Sequence, residues 1–263
     1  MRQFLLGSFL LFGCVFWASA QSTKSIRIVF AEQTLFTQLP EPHFQLVGNV
    51  QLEHDGTILN CDSALFFENK NHFEAYRNVQ LLRGDSIDLS CNALRYDGQT
   101  QIAKAQRQVI FRKDTIWLST NQLTYNIPKQ NAQFTRGGKV ISKTDTIIST
   151  EGQYNIKAQT MAFQKNVETK SLDVHSKSNL LHYNISTGNL GLKQQVEITT
   201  DNAQLFLDQA HYHQQKHLVV GQKITSGTYA HYQLQADSIN MHTVDSMLWC
   251  WRNVYLYDTI QKN

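Results

Sequence analysis

The segment from Ile87 to Asp97 reads IDLSCNALRYD, and 29 residues later the segment from Ile116 to Asn126 reads IWLSTNQLTYN. In both segments apolar and polar residues alternate as far as an asparagine, and a Leu-x-Tyr step follows it. A period of two residues is typical of a β-strand with one buried face and one face in water. The two segments therefore predict repeated β-structure, with a corner at each asparagine.

The 29-residue spacing recurs along most of the chain. One column of the repeat holds aromatic residues and ends on methionine: Phe67, Tyr96, Tyr125, Tyr154, Tyr183, Tyr212 and Met241. The column two positions earlier is mostly apolar: Leu65, Leu94, Leu123, Gly152, Leu181, Ala210 and Ile239. Polar columns lie four positions before and one position after the aromatic column. A second landmark recurs every 27 to 31 residues, often after a polar pair such as Arg77-Asn78: Val50, Val79, Val109, Val140, Val167, Val196, Ile224 and Val254.

The sequence pattern of each unit predicts about four short strand segments separated by Asn, Asp or Ser corners. A single unit cannot bury its own apolar face, so neighbouring units must stack to form one continuous core. If successive rungs lie about 4.8 Å apart, seven rungs span roughly 35 Å. The sequence thus predicts an elongated all-β structure of about seven repeats, with an interior lined along its length by apolar side chains.

Composition and motifs exclude several classes of function. The 263 residues carry a formal net charge of +3, and only 17% of them are charged, so we predict no nucleic-acid partner. P-loop, dinucleotide-binding, zinc-ligand and nucleophile-elbow patterns are not found, so we predict no catalysis, cofactor or metal site. His211, His213 and His217 resemble a ligand cluster, but Tyr212 takes the inward column. Alternation then puts His211 and His213 on the outer face, with His182 on the next rung.

The N-terminus has the features of a cleavable signal peptide, which predicts export to the periplasm. An apolar run from Phe4 to Trp17 is followed by the small residues Ala18-Ser19-Ala20, with cleavage expected before Gln21. The predicted organisation is a signal peptide at 1–20, an N-terminal strand and lead-in at 21–47, a repeat domain at 48–258, and a tail at 259–263.

The repeat motifs resemble a known family. Gly48-Asn49-Val50, Ala93-Leu94-Arg95-Tyr96-Asp97 and Leu123-Thr124-Tyr125-Asn126 are similar to the repeats of periplasmic OstA-like (organic solvent tolerance) proteins, which include the LptA-like bridge protein of lipopolysaccharide transport. The resemblance covers about residues 26–258. It implies an elongated, open β-jellyroll, folded like a taco shell around an apolar groove. It also implies a non-enzymatic carrier that moves lipopolysaccharide from the inner to the outer membrane of Gram-negative bacteria.

The resemblance implies a set of contacts with the acyl chains of lipid A. The predicted groove residues are Leu65, Phe67, Val79, Leu94, Tyr96, Val109, Leu118, Leu123, Tyr125, Tyr154, Leu181, Tyr183 and Tyr212. The predicted docking edges are Ile26 and Ile28 in the first strand, and Val254 and Leu256 in the last. The implied partners are an inner-membrane export complex, an outer-membrane translocon, and further copies of the chain joined head to tail.

Other interpretations of the residues stay open. The apolar columns suit a closed core as well as a groove, so a structural or adhesive secreted β-solenoid is an alternative, as is an accessory domain that binds polysaccharide on its outer face. Cys61 and Cys91 lie on neighbouring repeats, but alternation points them to opposite faces, and a disulfide needs a register slip in the first repeat. Cys250 is expected to be buried or half-buried. The last repeat ends in an aromatic cluster that either caps the core or docks a partner: Trp249, Trp251, Tyr255 and Tyr257.

Overall fold

The computed structural model describes residues 25–260, and the predicted signal peptide lies outside them. Twenty strands and two single-turn 3₁₀ helices, at Glu68–Lys70 and Gln214–Lys216, make up the regular structure of this region. The strands are β1 (Arg27–Phe30), β2 (Gln33–Thr37), β3 (His43–His54), β4 (Thr57–Phe67), β5 (His72–Arg83), β6 (Ile87–Asp97), β7 (Ile102–Lys113), β8 (Ile116–Asn126), β9 (Asn131–Phe134), β10 (Gly138–Ser142), β11 (Asp145–Ser149), β12 (Glu151–Asn155), β13 (Thr160–Lys170), β14 (His175–Asn184), β15 (Asn189–Thr199), β16 (Ala203–His213), β17 (Leu218–Tyr229), β18 (Tyr232–His242), β19 (Met247–Trp251) and β20 (Tyr255–Asp258).

All strands belong to one antiparallel sheet in which each layer pairs with the next layer along the chain. Four layers consist of two short strands in line: β1 with β2, β9 with β10, β11 with β12, and β19 with β20. The lead-in before residue 48 is therefore the first layer of the same sheet. Because each 29-residue unit contributes two antiparallel layers, a unit advances about 10 Å and seven units span about 70 Å. The prediction of one rung per unit was wrong, and the predicted length of roughly 35 Å was too short by a factor of two.

A corner bends most long strands at their middle. The pairing register shifts between Tyr76 and Val79 in β5, and two successive left-handed residues, Arg77 (φ 62°) and Asn78 (φ 47°), fill the break. The same pair of left-handed residues recurs at 107–108, 165–166, 194–195 and 252–253. A bulge of this kind turns a strand sharply. The polar pair before most of the valine landmarks is therefore the corner of the strand.

The corner divides the sheet into two walls that fold onto each other. Wall 1 contains the half-strands next to the turns at 55–56, 84–86 and 114–115. Wall 2 contains the half-strands next to the turns at 68–71, 98–101, 127–130 and 156–159. Phe111 lies in wall 1, yet its ring centroid is 5.3 Å from that of Tyr125 and 6.4 Å from that of Tyr154, both in wall 2. The two rows of turns form the rims of a cleft opposite the corner, which we call the mouth.

Side chains at the corner explain the polar columns of the sequence. Residues about 16 positions apart join across adjacent strands: Asp62 with Asn78, Asn92 with Gln108, Thr150 with Asn166, Asn179 with Gln195, Asp208 with Lys223, and Asp237 with Asn253. At the wall 2 rim, the column after the aromatic residue caps the turns. There Asn126, Asn155 and Asn184 each accept a hydrogen bond from a backbone N–H three residues later, and Asp97 accepts two, at Gln99 and Thr100. These bonds hold the strand ends and corners in one register. The all-β fold predicted from the repeat is confirmed, and it is consistent with the jellyroll that the family resemblance implies.

Candidate functional site

The interior between the walls is lined by the predicted columns. Eleven of the thirteen predicted groove residues are buried, each with at most 4% of its surface exposed: Val79, Leu94, Tyr96, Val109, Leu118, Leu123, Tyr125, Tyr154, Leu181, Tyr183 and Tyr212. They belong to a continuous cluster of buried side chains that extends from Ile26 to Met241. Whether these residues bind lipid stays a prediction, but their inward orientation follows from the alternation along each strand.

The predicted face is wrong for the first repeat. Leu65 and Phe67 are only half-buried, and Ala64 and Phe66 take the inward positions in their place. The register breaks in β4 and β6 lie 30 residues apart, so the first unit is one residue longer than the others. Because side chains alternate with period two, a single extra residue exchanges the faces of that half-strand.

The longer first unit also changes the direction in which Cys61 points, which bears on whether Cys61 and Cys91 form a disulfide. Cys61 and Cys91 both face inward, but β5 lies between them, and Val79 is the residue paired with Cys91. Two strands away is about 10 Å, which is beyond the Cα separation of a disulfide. Both thiols are free and donate hydrogen bonds of 3.2 Å to the carbonyl oxygens of Ser63 and Ala93. Burial raises the pKa of Cys61 to about 12 and that of Cys91 to about 11.

The two cysteines occupy a recurring position at the corner. The following members of the column are Thr120, Ser149 and Ser178, each of which donates to the carbonyl oxygen two residues later, at 2.9 to 3.3 Å. At this position a small side chain donates a hydrogen bond to the backbone on the inner side of the corner and so stabilises the bend. The sequence contains this column at 29- to 30-residue spacing. The column is hard to recognise from the sequence because it mixes thiol and hydroxyl side chains, which share only their small size and their hydrogen-bond donor.

The interior side chains are shielded from water along most of the described sheet, from Ile26 to Met241. The cavity beside Tyr96, Leu52 and Phe73 has a volume of about 10 Å³, close to the minimum that could hold one water molecule. The larger hollows lie outside, such as a hollow of about 790 Å³ lined by Tyr255, Tyr257 and neighbouring glutamines on the outer face of the last strands. Acyl chains therefore require the two walls to part.

Part of the interior of wall 1 is polar, which the repeat did not predict. Buried hydroxyl side chains line the stretch from β10 to β14: Ser142, Ser149, Thr169, Ser171, Ser176 and Ser178. The buried carboxylate of Asp145, 2% exposed, accepts hydrogen bonds from Ser171 Oγ (2.5 Å), Tyr183 Oη (2.7 Å) and Gln214 Nε2 (3.1 Å). Tyr183 and Gln214 belong to wall 2, so these bonds join the rims across the mouth. Burial and the adjacent carboxylate raise the pKa of Tyr183.

A second carboxylate joins the rims further along. Asp173 accepts hydrogen bonds from Tyr212 Oη and Thr243 Oγ1, and its Oδ2 lies 3.2 Å from His217 Nδ1. Burial alone would raise the pKa of Asp173, but the bonds from Thr243, Tyr212 and His217 outweigh burial and hold the pKa below its ordinary value. Near the first strands the rims are joined by His54 Nδ1 with Tyr96 Oη (2.8 Å) and by Gln101 with Asp55.

Comparison with known families decides the identity. A model of the family described as OstA-like protein matches residues 23–179, which is more than half of the chain. The chain belongs to the OstA-like family. This family is related to lipopolysaccharide transport, and its members are generally periplasmic. No curated protein matches the sequence. Beyond residue 179 the OstA-like chain keeps the same pairing and corners as far as β20.

The two ends of the OstA-like sheet are edges. Among residues 25–260, β1 and β2 pair only with β3 at one end, and β19 and β20 pair only with β18 at the other. The last layer leaves the core open, since inward-facing Leu256 is 61% exposed and Val254 is 47% exposed. Cys250 is half-buried against the core, as expected. The aromatic cluster of the last repeat lies on the outer face beside these residues, so it does not cap the core end.

The histidines follow the predicted faces. Tyr212 is buried, whereas His211 is exposed and His213 is half-buried. His182 and His211 are not on adjacent strands, because Gly191 of β15 pairs with both and lies between them. Within residues 25–260 there is no group of three or more His, Cys, Asp or Glu side chains arranged to hold a metal ion. The same residues include no helix long and apolar enough to cross a membrane.

Proposed function

We propose that the chain is a periplasmic lipopolysaccharide carrier of the bridge type, which holds acyl chains between its two walls while sugars and phosphates stay in water at the mouth. The observation that carries the proposal is the two-walled apolar interior, which extends over the length of the sheet and is uncovered at its last layer. Membership of a family related to lipopolysaccharide transport supports it. The role is one of binding and transport, not catalysis.

The filled interior fits this role if acyl chains replace contacts between the walls. Apolar surface contributes about 25 cal/mol per Å² whether it is covered by the opposite wall or by a hydrocarbon chain. Parting the walls around a lipid therefore costs little apolar contact energy, and the main cost is the loss of the hydrogen bonds across the mouth. Within residues 25–260 those bonds lie near the first strands and in the C-terminal part of the mouth.

The exposed edges fit a chain of carriers. The strands β1 and β20 each have one free edge, where backbone groups can pair with another strand. A second copy, an inner-membrane export complex or an outer-membrane translocon could extend the sheet there. The described residues contain no nucleotide-binding motif, so movement of lipid requires energy from the inner-membrane partner.

Photocrosslinking tests the proposal. A benzoylphenylalanine in place of inward Leu123 or Tyr125 should crosslink to lipopolysaccharide in cells, whereas one in place of outward Thr124 should not. The three positions share one strand, so Thr124 is a matched control. Equal labelling at all three positions, or labelling only at Thr124, would contradict the carrier.

The filled interior also favours a second candidate, a secreted structural β-solenoid with a permanently closed core. In that case no interior position labels lipid, and the walls stay in contact with or without lipopolysaccharide. The photocrosslinking described above distinguishes the two functions directly.

A further inference from the structure

The wall 2 rim changes chemistry along the mouth. The residue two positions after the inward aromatic or methionine is Glu68, Gly98, Ile127, Ile156, Ile185, Gln214 and Thr243 in successive turns. Ile127 and Ile156 are buried, with 2% and 8% of their surface exposed. By contrast, Gln214 and Thr243 form the hydrogen bonds to Asp145 and Asp173 on the opposite rim. One register position is thus apolar in the centre of the mouth and polar in its C-terminal part.

Several residues face each other across the mouth with a similar offset. Asp55 bonds Gln101, Ser142 bonds Tyr183, and Asn202 bonds Ser246, so these wall 1 residues face wall 2 residues 41 to 46 positions later. Gln214 and Thr243 reach further back, to Asp145 and Asp173, at separations of 69 and 70 residues. The turns at 84–86 and 114–115 therefore face those at 127–130 and 156–159. Among residues 25–260, no hydrogen bond or ion pair joins the rims over this central stretch, which contains Ile116, Ile127 and Ile156.

The central stretch also has a basic rim. Four basic side chains lie at its turns, against the two acidic residues Asp85 and Asp114: Arg83, Lys113, Lys129 and Lys157. Lys113 pairs with Asp114. Lys129 and Lys157 are exposed, and neither forms an ion pair with any other residue of the described range 25–260. A seam of apolar side chains beside exposed lysines suits a ligand with acyl chains and phosphate groups.

We propose that this central stretch is the portal through which the acyl chains of a phosphorylated lipid enter between the walls, with its phosphates at Lys129 and Lys157. The Asp145 and Asp173 clusters keep the C-terminal part of the mouth closed. This inference rests on the carrier function proposed above. Opening the portal separates apolar side chains that acyl chains replace, whereas opening the C-terminal part leaves buried polar groups without partners.

Photocrosslinking at equivalent turn positions tests the portal. Benzoylphenylalanine replaces Ile127, Ile156 or Ile185 in separate variants of the full chain, and each is exposed to purified lipopolysaccharide. Ile185 is the same register position beside the Asp145 cluster, and its replacement leaves the hydrogen bonds of Asp145 and Asp173 in place. We expect about tenfold more crosslinking at 127 and 156 than at 185, which corresponds to about 1.4 kcal/mol. An equal or greater yield at 185, with Leu123 also labelled, would overturn the portal but leave the carrier standing. No labelling at any position, Leu123 included, would overturn both.

Charge variants test the phosphate contacts independently. Lys129→Gln combined with Lys157→Gln should weaken binding of lipopolysaccharide and reduce its salt dependence, with little effect on lipopolysaccharide whose lipid A phosphates were removed. The matched control is Lys104→Gln combined with Lys139→Gln, two exposed lysines on the outer faces of the walls. Inorganic phosphate should not compete, since it lacks acyl chains. Unchanged binding in the first pair, or an equal loss in the control pair, would overturn the contacts. Competition by phosphate alone would also overturn the portal, since it would show that the lysines bind a free anion and not a lipid.

Discussion

Removing the carboxylate of Asp173 should loosen the C-terminal part of the mouth without unfolding the sheet. Asp173→Ala leaves Tyr212, His217 and Thr243 without their acceptor across the mouth. The Asp173 side chain is 23% exposed, so water can replace some of the hydrogen bonds that the carboxylate formed. Each lost bond costs on the order of 1 kcal/mol, so the free energy of unfolding should fall by about 1 to 3 kcal/mol at pH 7.

The effect should depend on pH with a definite sign. The hydrogen-bonded carboxylate has a pKa below its ordinary value, so its stabilising contribution is complete above the ordinary pKa of aspartate. It is lost as the pH falls through the lowered pKa of the folded state. Urea titrations of wild type and Asp173→Ala should therefore differ by a constant amount between about pH 5 and 7, and the difference should shrink below about pH 4.

The matched control is Asp208→Ala. Asp208 is an exposed carboxylate whose Oδ2 lies 3.4 Å from Lys223 Nζ at the corner, so its loss should change stability by less than about 0.5 kcal/mol. If Asp173→Ala is as stable as wild type at pH 7, or if its deficit persists undiminished at pH 3, the carboxylate does not hold the rims together.

Three further predictions concern the core, the thiols and the edge. Phe111→Ala should lower the free energy of unfolding by about 3 to 5 kcal/mol in urea titrations, because the ring is fully buried; a loss below about 1 kcal/mol would contradict the packing between walls. Cys61 and Cys91 should resist alkylation in the native protein at pH 8 while half-buried Cys250 reacts faster, as mass spectrometry can show; equal rates would contradict the assigned burial. Leu256→Pro removes a donor from the edge strand β20 and should reduce self-association in analytical ultracentrifugation while circular dichroism stays unchanged; undiminished association would exclude that edge as the docking surface.

The repeat predicted the interior better than it predicted the path of the chain. The spacing of Tyr96, Tyr125 and Tyr154 identified the inward face, because period-two alternation and a fixed repeat length leave little freedom within a strand. The repeat did not reveal that each unit forms two layers. Two successive antiparallel strands show the same alternation of apolar and polar residues as a single rung. At Phe67 the count failed, because one additional residue in the turn at 84–86, between Phe67 and Tyr96, moved the column by one position.

The bonds across the mouth could not be read from the repeat. Asp145 and Asp173 lie at or near wall 1 turns, outside the columns, and their partners are 38 to 70 residues away along the chain. Only the folded walls bring them together. A signal was nevertheless present in the sequence: the position two residues after the aromatic changes from isoleucine at 127 and 156 to Gln214 and Thr243.

The separation of the walls can be measured directly with a pair of spin labels, one at Thr115 on the wall 1 rim and one at Ala158 on the wall 2 rim. Both residues are exposed, and a background with Cys250→Ser leaves, within residues 25–260, only the two buried native thiols Cys61 and Cys91. Pulsed electron–electron double resonance should show that the distance between the two labels increases by about 4 Å or more when lipopolysaccharide is added, since one layer of hydrocarbon must fit between the walls. An unchanged distance in a sample that has bound lipopolysaccharide would show that the acyl chains lie elsewhere and that the two walls form a closed core.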